Sequence, residues 1–155
     1  MGRGHHNIAT ITGPADMHAS VDRELGWRDA LAAAGLSDHR IAHGDFTEAG
    51  GIRAALALVD EHPDVDAIFV ASDLMASGAL LALEERGLSV PGDVAIVGFD
   101  NSPYATRGKV GLTTVAQPAQ EMGVVMADTL LRLLAGETPP RVTTLDTHLV
   151  ERDSA

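Results

Sequence analysis

Cysteine is absent from the 155-residue sequence. This absence excludes disulfide bonds, thiolate metal ligands and cysteine nucleophiles, and it suits a reducing compartment, so we expect a cytoplasmic protein. Aromatic residues are scarce, at 3%, and the core must therefore be built from alanine, valine, leucine and isoleucine. No apolar run approaches the roughly 20 residues that a membrane-spanning helix needs, and the N-terminal segment lacks the apolar stretch of a signal peptide.

Positive charge is also scarce, because 11 lysine and arginine residues face 22 aspartate and glutamate residues, for a formal net charge of −11. Such an acidic surface repels phosphate backbones, so this chain by itself is expected to be a poor nucleic-acid binder. The hydrophobic fraction of 45% is ordinary for a globular protein. The length suits one domain, and no linker divides it.

Strand and helix patterns alternate along the chain. Short apolar runs predict strands over residues 8–12, 40–43, 66–71, 93–98, 112–115 and 141–150. Helical periodicity predicts helices near residues 20–34, 47–62, 72–86 and 118–135. Ser20 and Ser72 are the predicted N-caps of two of these helices, and Gly35 is a predicted C-terminal stop. The alternation indicates an α/β fold with a mainly parallel sheet and helices on both faces.

Polar side chains follow the predicted strands, at the edge where ligands bind in such sheets. A carboxylate accepts hydroxyl protons, a guanidinium donates to hydroxyl oxygens, and an aromatic ring covers the C–H face of a sugar. This inventory favours a small polyhydroxylated ligand. The candidate ligand-binding residues are Met17, Ser20, Arg23, Phe46, Ser72, Asp73 and Asp100.

Structural roles are an open alternative for most of these residues. Ser20 and Ser72 would serve only as helix caps, Asp73 would only favour its helix N-terminus, and Asp100 would only form a turn. Phe46 would be a core residue and Arg23 a surface ion pair. Only the convergence of the strand ends on one edge favours binding over these alternatives.

Signatures of catalysis are missing. The sequence has no GxSxG, P-loop, GxGxxG or HExxH motif, and His5-His6 has no third ligand at metal-site spacing. We therefore expect no catalytic residue, no metal and no cofactor. A small α/β enzyme is the weakest alternative, because it would need a nucleophile, a metal or a phosphate cradle, and an activity screen would detect it.

Several segments, taken in order, resemble the LacI/GalR family of transcription regulators. They include the run Ser20-x-x-Arg23-x-x-Gly26-Trp27 and the triplet Gly44-Asp45-Phe46. They continue with AIFVASDLMASGAL, VPGDVAIVGFDN and LTTVAQPAQEMG at residues 67–80, 90–101 and 112–123. The likeness extends over nearly the whole chain, with natural spacing.

The resemblance implies an effector domain like that of periplasmic sugar-binding proteins. Arg23 would then hydrogen-bond a sugar-like effector, Asp100 would accept from its hydroxyl groups, and Phe46 would stack against it. Ser72 stands where the family often has asparagine, and the segment around Met17 would tune specificity. Operator DNA would be bound only through an N-terminal head that this chain lacks. A homodimer through the helices starting near Thr47 and Ser72 is also implied.

The alternative of similar architecture is a solute-binding protein of a sugar transporter. A helix-turn-helix encoded upstream would identify the regulator, and a secretion leader would identify the transporter. In either case the chain resembles roughly the second half of a longer protein, and because half of the effector pocket would then be absent, the effector affinity is expected to be weak or nil.

Residues 112–136 carry a separate expectation. In the family, this strand and helix would belong to the missing N-terminal lobe, which would leave an apolar stripe on the helix without a partner. We expect the helix to pack instead on its own sheet or in a second copy, because exposed apolar surface is unfavourable.

Overall fold

A computed structural model describes residues 4–155. Residues 1–3 belong to the N-terminal segment that was expected to lack a signal peptide. They lie outside the described residues. The strands are β1 Ile8–Thr12, β2 Ile41–His43, β3 Ala67–Val70, β4 Ala95–Asp100, β5 Thr113–Ala116 and β6 His148–Val150. The helices are α1 His18–Ala34, α2 Glu48–Glu61, α3 Asp73–Glu85 and α4 Ala119–Leu134, and a short 3-10 helix covers Pro103–Thr106.

The strands form one six-stranded sheet in the order β2-β1-β3-β4-β5-β6. Every neighbouring pair from β2 to β5 is parallel, and β6 is antiparallel to β5. Thr12 lies opposite His43, and Asp100 lies opposite Ala116, so β1 and β2 end side by side, as do β4 and β5. The prediction of an α/β fold with a mainly parallel sheet is confirmed.

The main core lies between one face of the sheet and helices α2 and α3. Ile68, Val70 and Ile96 point to this face and are at most 1% exposed. Because side chains alternate along a strand, Phe69 and Phe99 point to the other face, where α1 brings Trp27. Helices therefore cover both faces of the sheet, as predicted, and no helix in residues 4–155 has the length and apolarity to span a bilayer.

Helix starts differ in part from the prediction. Met17 is the N-cap of α1, so Ser20 lies inside the helix and the prediction that it caps α1 is wrong. Ser72 does cap α3, because its hydroxyl oxygen accepts from the N–H of Met75 at 3.3 Å. Gly35 ends α1 in the left-handed region at φ 68°, as predicted.

The C-terminal elements also differ from the prediction. The last strand is confined to β6, because only three of its residues pair with β5. Residues 112–136 were expected to belong to a missing N-terminal lobe. Instead, β5 pairs with β4, with Val97 opposite Thr113. The strand thus belongs to this chain's own sheet. Helix α4 has no buried residue, so it does not pack on that sheet.

Candidate functional site

Arg23 connects the carboxyl ends of two strands. It projects from α1, and its Nη1 donates to the carbonyl oxygen of Ala71, directly after β3, at 2.7 Å. Its Nη2 donates to Oε1 of Gln117, directly after β5, at 3.3 Å. The guanidinium carbon lies 3.9 Å from the ring centroid of Phe99, which stabilises the cation against the sheet.

Asp100 completes this group. Its Oδ1 lies 3.6 Å from Nη2 of Arg23, and about a third of its side chain, 34%, is exposed. The backbone is strained at this point, because Asp100 has φ 113° and Asn101 has φ 52°. Positive φ is costly for residues other than glycine and is concentrated at functional sites. The strain turns the chain sharply where β4 ends and leaves the carboxylate at the sheet edge.

Burial governs the charges of this pair. Burial raises the pKa of the Asp100 carboxyl, with Arg23 acting in the opposite direction and Asp73 adding to the rise. Burial also lowers the pKa of Arg23, although Asp100 opposes the change. Both shifts have the sign of desolvation, so the two charges are incompletely satisfied by each other.

Two clefts meet at this group. One, of about 890 Å³, contains Asp100 and Gln117 and extends under the first turn of α4. The other, of about 580 Å³, contains Arg23 and Gln117 and runs between α1 and the sheet. Both volumes are in the range of small-molecule sites. In residues 4–155, no group of three histidine, aspartate or glutamate side chains could hold a metal ion.

Asp73 and Ser72 lie beside the clefts with structural partners. Asp73 is fully buried, and its Oδ1 accepts from the Thr114 hydroxyl at 2.6 Å. Its Oδ2 accepts from the N–H of Ser102 at 2.7 Å, which holds the loop that follows Asp100. The hydroxyl of Ser72 is occupied by the α3 cap. Both residues thus hold the backbone beside the clefts, Asp73 at the loop after Asp100 and Ser72 at the start of α3.

The remaining candidates lie at the other end of the same edge or in the interior. Met17 is 46% exposed at the start of α1, whereas Ser20 is 2% exposed and faces the interior. Phe46 has φ 61° and packs across Gly13, where an added Cβ would lie 2.2 Å from its ring. Phe46 lines neither of the two clefts.

Gln117 is the site residue that the sequence reading missed. It follows β5 directly, its side chain binds Arg23, and it lines both clefts. Applying the strand-end rule to the fifth strand, and not only to the first four, would have identified it.

This parallel sheet, with polar residues gathered at its carboxyl edge, has the architecture of a ligand-binding lobe. The family model described as "Periplasmic binding protein-like domain" matches residues 1–155. The chain belongs to that family.

Its relatives include regulators, which confirms the LacI/GalR resemblance. The chain is 47% identical over 155 residues to the HTH-type transcriptional regulator CelR of Thermobifida fusca, covering 97% of this chain and 45% of CelR. It is 36% identical over 155 residues to the HTH-type transcriptional regulator AscG of Escherichia coli K12, covering 97% and 46%. The chain thus spans about half the length of the curated relatives it matches.

Solved structures agree with the relatives. A structure of a transcriptional regulator CelR–cellobiose complex superimposes with a TM-score of 0.94 at 46% identity, covering 98% of this chain and 47% of that chain. A lac repressor dimer bound to operator and the anti-inducer ONPF superimposes with a TM-score of 0.92 at 30% identity, covering 97% and 53%. The six-stranded lobe is therefore a shared unit of these regulators.

Proposed function

We propose that this chain is the effector-binding part of a LacI-type transcription regulator and that its effector is a sugar. The observation that carries the proposal is the group of Arg23, Asp100 and Gln117, which joins three strand ends between two clefts. The 47% identity to CelR and the cellobiose bound in the CelR structure support a saccharide ligand.

Each polar residue has a defined role in this proposal. Two of the five guanidinium N–H groups of Arg23 donate to Ala71 and Gln117, and we assign the remaining groups to ring or hydroxyl oxygens of the sugar. Asp100 accepts from sugar hydroxyl groups. Gln117 orients Arg23 and contributes its own amide N–H groups to the ligand.

The other candidates act at the border of the site. Phe46 and Met17 lie outside the two clefts, on the β1–β2 side of the edge, and they would form an apolar border only for a sugar that extends beyond Arg23 and Asp100. Asp73 is a positioning residue, since it holds the loop after Asp100. Ser72 caps α3 and Ser20 packs in the interior, because these residues are only 6% and 2% exposed.

The longer protein supplies the remaining functions. We place the opposite wall of the sugar site and the helix-turn-helix head in the part of the relatives that this chain does not span. Operator binding then depends on that head, and α4 contacts the opposite lobe in the longer protein. In this proposal the protein acts in the cytoplasm as a regulator, without an enzymatic activity or a cofactor, and it forms a homodimer.

Binding can be tested by NMR titration of the ¹⁵N-labelled chain with glucose, galactose and cellobiose. At least one sugar is expected to shift the backbone resonances of Asp100 and Gln117, with weak affinity. Asp100→Ala and Arg23→Gln are expected to weaken binding by about 1–3 kcal/mol, because each removes a charged hydrogen-bonding partner.

Asp29→Ala is the matched control, since Asp29 is exposed on α1 and lines neither cleft. It should leave the affinity unchanged, and circular dichroism should show all three variants folded. If a sugar shifts resonances elsewhere in the chain but not at this edge, or if all variants bind alike, the proposed site is wrong.

A further inference from the structure

The segment after β6 is fastened between the starts of β4 and β5. Ser154 is fully buried, and its hydroxyl donates to the Ile96 carbonyl oxygen at 2.6 Å and accepts from the Thr113 N–H at 2.8 Å. Its backbone is held as well, because the Ile96 N–H donates to the Ser154 carbonyl oxygen at 2.8 Å and the Ser154 N–H donates to that of Gly111 at 3.0 Å. Ser154 is therefore a fixed anchor for the residues that precede it.

Arg152 extends from this anchor to the residue that follows β4. Its backbone N–H donates to the Thr113 hydroxyl oxygen at 2.9 Å. Its Nη1 donates to the carbonyl oxygen of Leu112 at 2.7 Å, and its Nη2 donates to Oδ1 of Asn101 at 2.7 Å. Because the guanidinium is planar and its donors are fixed relative to one another, the bond to Leu112 determines where the Asn101 side chain is held.

Asn101 directly follows Asp100, and the backbone of both residues is strained. The φ angle is 113° at Asp100 and 52° at Asn101. Such angles are unfavourable for residues other than glycine, and they persist only where surrounding contacts impose them. Because the two residues share a peptide bond, a change in the Asn101 backbone would move the Asp100 carboxylate relative to Arg23, from which it now lies 3.6 Å away.

The turn after β4 is also held by groups of the core. The Asn101 N–H donates to the Thr114 hydroxyl oxygen at 3.3 Å, and the Ser102 N–H donates to Oδ2 of the buried Asp73 at 2.7 Å. Arg152 is only partly buried. Its side chain therefore adjusts the turn from outside the core, and its removal should leave the domain folded.

Arg152 reaches the site through geometry and not through its charge. Among the described residues, the charges that shift the pKa of the Asp100 carboxyl are those of Arg23, which lowers it, and Asp73, which raises it. Arg152 lines neither of the two clefts, whereas Asn101 lines the larger one. The route from Arg152 to the site thus leads through Asn101.

We infer that Arg152 is a positioning residue of the sugar site, which holds Asn101, and through it the Asp100 carboxylate, in the orientation that binds the sugar. This inference rests on the proposed function, because it concerns the same site. It connects the segment after β6 with the end of β4, across the 51 positions that separate Arg152 from Asn101 in the sequence.

NMR of the ¹⁵N,¹³C-labelled chain tests this role first without a ligand. Arg152→Met removes the guanidinium and keeps an unbranched side chain of similar length. It should shift the ¹³Cβ resonances of Asp100 and Asn101, which report φ, because the turn relaxes toward unstrained angles. The resonances of Ser154 should stay in place, and urea unfolding should show that the variant remains folded.

Arg107→Met is the matched control for the loss of an arginine side chain. Arg107 lies in the loop between Asn101 and β5, but its guanidinium stacks on the ring of Tyr104, with 4.7 Å between the guanidinium carbon and the ring centroid. This variant should leave the ¹³Cβ resonances of Asp100 and Asn101 unchanged.

Titration of the same variants with glucose, galactose and cellobiose then measures sugar affinity. Arg152→Met should weaken binding by about tenfold, because a charge-assisted hydrogen bond that orients a binding group is lost. Arg152→Lys should bind with intermediate affinity, since one ammonium cannot hold both Leu112 and Asn101. In an Asn101→Ala background, Arg152→Met should change the affinity by less than about twofold, because its route to the site is already removed.

Two results would overturn the inference. One is an Arg152→Met variant whose Asp100 and Asn101 resonances match those of wild type. The other is an equal loss of affinity on Arg152→Met in the wild-type and Asn101→Ala backgrounds, which would show that Arg152 acts on the whole fold. If wild type binds none of the sugars, the proposed function fails, and the ligand-free resonances still decide whether Arg152 holds Asp100.

Discussion

Arg23 is the residue on which the geometry of the candidate site depends most. Its guanidinium contacts the residues that follow β3 and β5 and lies on Phe99 of β4. One planar group thus sets the relative positions of three strand ends. Lysine could not replace it, since a single ammonium lacks the planar fork that reaches two acceptors and stacks on a ring.

Asp73 allows a prediction about stability at the same scale. Asp73→Ala leaves the Thr114 hydroxyl and the Ser102 N–H without their acceptors in a buried position. We expect the free energy of unfolding to fall by about 2–4 kcal/mol, because unsatisfied buried donors are costly. Urea denaturation followed by circular dichroism measures the change.

The control for Asp73 is Thr114→Val, which removes one of the two donors together with its polar group. It should cost clearly less than Asp73→Ala, because no Thr114 hydroxyl is then left unsatisfied. Equal stability of Asp73→Ala and wild type would show that the carboxylate does not hold the loop.

At the scale of elements, the contact between α2 and α3 depends on two glycines. A Cβ on Gly51 would lie 2.1 Å from the carbonyl oxygen of Met75, and a Cβ on Gly78 would lie 2.1 Å from that of Glu48. The helices therefore touch backbone to backbone. Gly51→Ala must push them apart and is expected to destabilise the fold by about 1–3 kcal/mol, as measured by thermal or urea unfolding.

Gly26→Ala gives the opposite expectation for the same substitution. Gly26 lies within α1, and nothing is within 4 Å of a Cβ placed on it. Alanine is the better helix former, so stability should rise by about 0.5–1 kcal/mol. A loss of stability in Gly26→Ala similar to that in Gly51→Ala would contradict the packing argument.

The elements with strong local patterns were predictable from the sequence. Continuous apolar runs located β1, β3 and β4, and the turn residue Gly35 located the end of α1. The fold class followed from the alternation of strands and helices. Along the edge, the strand-end rule identified Arg23 and Asp100, which the structure brings within 3.6 Å of each other.

The errors occurred where tertiary contacts decide. Ser20 has the side chain of a cap, but a turn in which Met17 donates to the Pro14 carbonyl starts α1 earlier and turns Ser20 inward. The last strand is short because its partner β5 has only four residues. Gln117 has the local signal of a residue that follows a strand, but its partner Arg23 is 94 positions away in the sequence, so the contact between them could not be read from the local pattern.

At the scale of the whole molecule, the net charge of −11 leads to a prediction about DNA. The chain should not bind duplex DNA, even at low salt, because its acidic surface repels the phosphates. Fluorescence anisotropy of a labelled operator-length duplex measures this. Binding that weakens as salt is added would reveal a basic surface that the charge balance does not suggest.

The short junction between the sheet and α4 has a mechanical consequence. Gln117 is both a residue of the candidate site and the last residue before Pro118, from which α4 extends for about 24 Å. A rotation of only about 10° at this junction displaces the far end of the helix by about 4 Å. Any change in the orientation of Gln117 would therefore be enlarged along α4 and would be largest at Leu134.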